Sequence, residues 1–213
     1  MTVRFLLARH GQTEWNAQKR FMGQLDIPLD ETGRAQVAAL GTRLKDEHMD
    51  MIYASDLSRA WDTALAIQAR LASHASIKPE SRLREMNFGD WQGLTYAEIQ
   101  ERDPQNLAHW EEDRLHHAPP NGETLLAFSE RVVSAYREWC AAHAEQKILL
   151  VGHGGSLQLL LAHALGLSPD KFWQLHLSNA SLTDLRVYES GAILNLLNDT
   201  CHLPTSPLPM REG

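Results

Sequence analysis

Val3 to Gly11 reads VRFLLARHG, an apolar run that stops at Arg9-His10-Gly11. The run is too short for a helix and suits a buried strand followed by a loop. A second such run, Lys147 to Val151 (KILLV), leads directly into Gly152-His153-Gly154-Gly155. Between the two the pattern alternates. Asp30 can cap a helix from Glu31 to about His48, with Val37, Leu40, Gly41 and Leu44 recurring on one face. Met51 to Ala54 reads as a strand, Ala60, Ala64, Ile67 and Leu71 as one face of a helix, and Ile77 to Glu80 as a brief third strand. Strands alternating with helices predict an α/β fold, a three-layer α/β/α sandwich around a mostly parallel sheet. Ligands of such sheets bind beyond the carboxyl ends of the strands, where His10 and His153 both fall.

The segment from about 87 to 121 breaks this rhythm with short helical stretches, several Trp and the turn Pro119-Pro120-Asn121-Gly122. It reads as a small helical cap inserted into a single domain spanning 1–203. A helix follows from about Glu123 to His143, and another from Ser156 to Leu165, closed by Gly166. Leu182 to Tyr188 and Ala192 to Leu197 read as paired strands, and the proline-containing stretch 204–213 as a disordered tail.

The 213 residues carry 20 Lys and Arg against 27 Asp and Glu, a formal net charge of −7. No cluster of cations supplies the basic patch that nucleic-acid backbones require. No apolar run approaches the ~20 residues of a membrane span, and the first residues turn polar too early for a signal peptide, so a cytoplasmic location is expected. Cys140 and Cys201 form no CxxC pair and are expected to be buried thiols. Eleven histidines are more than this length leads one to expect, which raises the question of whether some take part in chemistry.

A phosphomonoester near neutral pH is close to a dianion, and the planar fork of Arg suits its oxygens. Arg9 and Arg59 each stand near the end of a predicted strand. Arg59 would sit in the first turn of its helix, where a cation opposes the helix dipole and needs another reason to be present. A histidine between two arginines is kept neutral, and therefore nucleophilic, by like charge. His10 could then attack phosphorus through a ring nitrogen, and His153 could donate to the transferring oxygens. A carboxyl would protonate the departing alkoxide and later activate water. No metal and no cofactor is needed.

The run Arg9-His10-Gly11-Gln12-Thr13-Glu14-Trp15-Asn16 resembles the signature of the histidine phosphatase superfamily, in its phosphoglycerate mutase-like branch. Ser55-Asp56-Leu57-Ser58-Arg59-Ala60, Leu83-Arg84-Glu85-Met86-Asn87-Phe88-Gly89, Asn121-Gly122-Glu123-Thr124 and Gly152-His153-Gly154-Gly155 follow in the family's order. The resemblance implies a phosphohistidine formed on His10, Glu85 as the proton donor, and Arg9, Arg59 and His153 as the phosphate pocket. It further implies that Asn16, Gly23 and the backbone near Gly154 contact the substrate, with Phe88 as a wall. Glu80, Glu98 and Glu123 compete with Glu85 for the acid's role, and Glu14 and Trp15 read as structural. His116-His117 resembles a metal pair but lacks a spaced partner set, and His202 could either return to the site mouth or lie at the surface.

Within the family, mutases carry a longer insertion and paired arginines that hold a substrate carboxylate. This chain has no Arg-Arg pair and reads as a phosphatase. Its Phe88-Gly89-Asp90-Trp91 stretch is most similar to the α-ribazole and broad-specificity phosphatases. Phosphoserine phosphatases of the fold usually place His where Phe88 stands. The expected partner is therefore a small phosphorylated metabolite, α-ribazole 5′-phosphate being one candidate. Phosphoglycerate mutase activity, phosphoserine hydrolysis and a non-catalytic phospho-ligand module are the alternatives, and a homodimer is left open.

Overall fold

The computed structural model describes residues 2–73 and 75–204. Strand β1 (Val3–Arg9) is followed by a one-turn helix α1 (Glu14–Ala17), α2 (Glu31–Arg43), β2 (Met51–Ala54), α3 (Ser58–Gln68) and β3 (Ser76–Pro79). Two short helices, α4 (Tyr96–Arg102) and α5 (Pro104–Glu112), precede the long α6 (Leu125–Ala142). Then come β4 (Lys147–Gly152), α7 (Gly154–Ala164), β5 (Leu182–Tyr188) and β6 (Gly191–Asp199). The strands form one sheet in the order β3-β2-β4-β1-β5-β6. Pairing is parallel from β3 to β1 and antiparallel from β1 through β5 to β6.

Period-two alternation in the central strands creates the three layers. Val3, Phe5 and Leu7 of β1, with Ile148 and Leu150 of β4, face the cluster built on α6 and α7. Leu6 and Ala8, with Leu149 and Val151, face the opposite cluster on α2 and α3. Both faces of these strands are buried, which is why the sequence reads as continuous apolar runs there.

The segment between 87 and 121 carries its own cluster of Trp91, Ile99, Leu107 and Trp110, against which Phe21 and Phe88 pack. Trp91 and Trp110 meet edge to face with centroids 5.5 Å apart, and the Trp91 indole N–H donates to Asp103 at 3.0 Å.

Two expectations change. Helix α2 ends at Arg43 rather than near His48, because Lys45, Asp46 and His48 are exposed and offer no apolar face beyond Leu44. Cys201 is exposed and Cys140 half-buried, so neither is the buried thiol expected. Cys201 lies in the turn after β6, where its thiol donates to Asp199. Of the stretch read as a tail, residues 205–213 lie outside the described residues. Among the described residues no helix is long and apolar enough to cross a membrane.

Helix α2 begins directly against the loop after β1. A Cβ on Gly33 would lie 2.0 Å from the Gln12 carbonyl oxygen, and one on Gly11 would lie 2.6 Å from the Gly33 oxygen. Gly33→Ala raises intrinsic helix propensity by ~1 kcal/mol, but here it forces two backbones apart. The expected net effect is a loss of ~1–3 kcal/mol in urea unfolding; a stabilised variant would contradict this close approach.

Candidate active site

Strand register assembles the site. Arg9 is paired with Gly152, and Ala54 with Val151, so β1, β4 and β2 end side by side. The His10 N–H donates to Gly152 O at 3.0 Å, and the Ser55 N–H donates to Val151 O at 2.9 Å. The next residues, His10, His153 and Ser55, consequently converge, with the two imidazole centroids 5.1 Å apart. They open into a pocket of about 300 Å³, near the lower end of the usual range for small-molecule sites.

Arg59 is fully buried at the start of α3. Its Nη1 donates to Leu25 O and its Nη2 to Gly23 O, both at 2.8 Å, and its Nε donates to His153 Nδ1 at 3.2 Å. Burial, partly offset by the Glu85 and Asp26 charges, pulls its pKa down to about 10, so it stays cationic at neutral pH. Gly23 supplies that carbonyl from a backbone with φ +56°, and a Cβ there would meet the Gln92 side chain. Arg9 donates through Nη1 to Leu177 O at 2.7 Å, while its buried Nε has no partner among the described residues. A buried guanidinium N–H left open at a pocket wall is a site for an anion.

His10 is 2% exposed, and its Nδ1 lies 2.6 Å from Gly11 O. A carbonyl only accepts, so Nδ1 carries the proton and Nε2 presents its lone pair. Burial first, then the charges of Arg59 and Arg9, hold this ring well below the usual imidazole pKa. Like charge therefore contributes to neutrality, as the sequence suggests, but desolvation contributes more. His153 is likewise held neutral by burial and by Arg59. With Nδ1 accepting from Arg59, its single N–H is on Nε2, 2.9 Å from Ser55 Oγ. Both ring nitrogens thus have protein partners, and a phosphoryl oxygen reaches that donor only by replacing Ser55.

Glu85 is the one carboxylate lining the pocket among the described residues. Its oxygens accept from the N–H groups of Met86 at 2.9 Å and Gly155 at 3.1 Å, the latter in the first turn of α7. A Cβ on Gly155 would press on the end of the Glu85 side chain and on the Phe128 ring, so a larger residue there would shift the carboxylate. The competing acids are committed elsewhere: Glu80 to Arg82, Glu98 to Arg20, and Glu123 to Arg131. Arg131 escaped the sequence reading. It grips Glu123 through two N–H bonds at 2.7 and 3.0 Å and donates to the carbonyls of Arg82, Arg84 and Glu85. The Asn121-Gly122-Glu123-Thr124 motif was the available signal, since Glu123 is the anchor of that clamp.

Asn16 Oδ1 accepts from the Thr13 backbone N–H and hydroxyl and from Asn179 Nδ2, at 3.1 to 3.2 Å. Three donors on one oxygen leave Nδ2 to face the pocket as a donor. Phe88 lines the pocket and meets Phe21 edge to face, with centroids 4.8 Å apart. Lys19, at φ +55°, also lines it and was not anticipated. Gly23 lines the pocket, whereas Gly154 and Gly155 do not; Gly154 lies behind Arg9, and the Gly155 N–H reaches Glu85. His202 is also outside the wall, donating to Ala180 O. His116 pairs with Asp113 and His117 stacks on His109, away from any metal-like trio. No such trio converges in the pocket; among the described residues the only one is Asp199, Cys201 and His202.

Folding keeps protons off both site histidines, whereas the unfolded chain takes them up below its ordinary value of 6.5. Stability is therefore expected to fall as pH drops below 6.5, with these two rings contributing a slope approaching ~2.7 kcal/mol per pH unit until they protonate in the folded state. Urea unfolding between about pH 7.5 and 5.5 should show a shallower dependence for a His10→Gln/His153→Gln double variant. Equal slopes would contradict the neutral, buried pair.

Residues 5–200 match the histidine phosphatase superfamily (branch 1). The chain is 33% identical to phosphoserine phosphatase 1 of Hydrogenobacter thermophilus over 201 residues, 94% of each protein. It is 38% identical to the glucosyl-3-phosphoglycerate phosphatase of Mycolicibacterium vanbaalenii over 190 residues, covering 85% of this chain and 83% of that one. The crystal structure of the α-ribazole phosphatase from Shigella flexneri superposes with a TM-score of 0.86 at 30% identity, covering 92% and 96% of the two chains. With the match running nearly end to end, and with phosphatases among its relatives, the chain belongs to the histidine phosphatase superfamily and is a phosphomonoester hydrolase.

Proposed function

We propose that this enzyme cleaves its phosphomonoester in two steps through a phosphohistidine on His10, without a metal. The observation that carries this reading is the His10 ring itself. It is neutral, its Nδ1–H is fixed on Gly11 O, and Nε2 is free to form a bond in a pocket lined by the guanidinium groups of Arg9, Arg20 and Arg59. In the first step the Nε2 lone pair attacks phosphorus in line with the ester oxygen. Arg9 and Arg59, with Asn16 Nδ2, carry the negative charge spread over the phosphoryl oxygens. The P–O ester bond breaks, and Glu85 gives its proton to the departing oxygen. In the second step Glu85 takes a proton from water, which attacks phosphorus and returns His10 to its neutral form. His153 holds Arg59 in place throughout by accepting its Nε–H.

The organic part of the substrate meets Phe88 and Phe21, an aromatic wall that suits a ring or acyl group, as in α-ribazole 5′-phosphate. Lys19 favours a second reading. Its ammonium stands at the pocket with no partner among the described residues, and it complements a substrate that carries a carboxylate in addition to phosphate, such as phosphoserine or glucosyl-3-phosphoglycerate.

Three experiments test these assignments. Glu85→Gln is expected to lower kcat/KM on an alkyl phosphate by ~10²–10⁴, and much less on p-nitrophenyl phosphate, whose phenolate leaves without a proton. Equal losses on both would remove Glu85 from the acid's role, and loss of turnover in EDTA would count against the metal-free scheme. Lys19→Met is expected to raise KM by up to about fivefold for the carboxylate-bearing substrates and to leave p-nitrophenyl phosphate unchanged. A uniform effect, or none, would favour the uncharged ring substrate.

A further inference from the structure

The turn that ends β6 brings three different metal-binding side chains together outside the phosphate pocket. Asp199 closes the strand, the Cys201 N–H donates back to Asp199 Oδ1 at 3.0 Å, and the Cys201 thiol donates to Asp199 Oδ2 at 3.4 Å. His202 follows immediately. One carboxylate oxygen, the sulfur and one imidazole nitrogen all lie within 4.8 Å of one another.

The state of the His202 ring is the second observation. Its Nε2 lies 2.9 Å from Ala180 O, which can only accept, so Nε2 carries the proton and the lone pair is on Nδ1. Nδ1 is shielded from solvent and has no hydrogen-bond partner among the described residues. A ring N–H fixed on a backbone carbonyl, with the other nitrogen buried and unused, is the arrangement that orients histidine ligands in metal sites.

We propose that Asp199, Cys201 and His202 form a cation site of the zinc class, binding through a carboxylate oxygen, a thiolate and Nδ1. The mixture of soft sulfur, imidazole and carboxylate selects a borderline ion such as Zn²⁺ over Mg²⁺ or Ca²⁺, which take oxygen ligands. Tetrahedral bonds of ordinary length place ligand atoms about 3.3–3.7 Å apart, so ligand atoms lying within 4.8 Å of one another close by up to about 1.1–1.5 Å as the turn wraps the ion. Binding replaces the Cys201 S–H bond by a metal–sulfur bond and releases that proton to solvent. Because Cys201 is exposed, the fourth position is open to water. Arg43, 4.0 Å from Asp199, is the charge that the ion has to outcompete.

The site is distinct from the catalytic scheme but tied to it mechanically. The Ala180 carbonyl holds His202, and the Ala180 N–H donates to Arg9 O and His10 O at 3.1 Å. A loaded site would therefore pin the segment that backs the nucleophile.

Chelator-treated protein, desalted and titrated with Co²⁺, tests the proposal. One equivalent is expected to produce a thiolate-to-cobalt charge-transfer band in the near ultraviolet, which Zn²⁺ abolishes by displacement. Cys201→Ser should lose the band while keeping hydrolytic activity, and His202→Asn should weaken Co²⁺ binding by about tenfold or more. His10→Ala should leave the band intact, which separates this site from the catalytic histidines and from the phosphohistidine scheme. Absence of the band, its survival in Cys201→Ser, or its loss in His10→Ala would overturn the proposal.

Discussion

Two guanidinium groups, Arg59 fully buried and Arg9 half-buried, stand at the edge of the sheet, and their hydrogen-bond partners in the protein are neutral. Arg59 spends its N–H groups on two carbonyls and a ring nitrogen, and Arg9 spends one on a carbonyl and leaves another open. Burying a cation without a paired anion is costly, and the fold offsets that cost only in part, through hydrogen bonds and through Glu85 nearby. On the proposed reading, a dianionic phosphoryl group completes the balance. The same two charges, added to burial, hold His10 neutral, so in the proposed mechanism the groups that bind the phosphoryl group also keep the nucleophile usable.

Everything around this pair constrains where it can lie. Parallel register between β1, β4 and β2 brings the ends of three strands together, and backbone contacts fix the loops that follow them. Gly33 lets α2 rest on Gly11 and Gln12, while Gly155 lets Glu85 reach the start of α7. Arg131 and Glu123, anchored on α6 and the turn before it, gather the carbonyls of the loop that presents Glu85. The helices between 87 and 121 act from the other side, pressing Phe88 against Phe21 to shape the pocket wall.

Much of this was legible in the sequence, for identifiable reasons. The apolar runs before Arg9-His10-Gly11 and Gly152-His153-Gly154 are buried on both faces, so they mark central strands without ambiguity and place both histidines at the ligand edge. Arg59 was legible because a cation in the first turn of a helix needs an explanation. What escaped depends on contacts distant in the chain. The Arg131 clamp joins residues more than 40 positions apart, and Ser55 meets His153 across 98. Lys19 reaches the pocket because its backbone adopts a positive φ, which an exposed lysine in a polar stretch does not announce. The end of α2 was misjudged because charged residues after Leu44 have adequate helix propensity and only the missing apolar face stops them.

The central claim is that His10 carries the phosphoryl group between the two half-reactions. Rapid quenching of turnover with a substrate labelled on phosphorus, followed by peptide mapping, tests it most directly. An acid-labile, alkali-stable label is expected on the peptide containing His10, absent from His10→Ala together with turnover of p-nitrophenyl phosphate. Undiminished turnover by His10→Ala, or a label on Ser55 or any other residue, would contradict it.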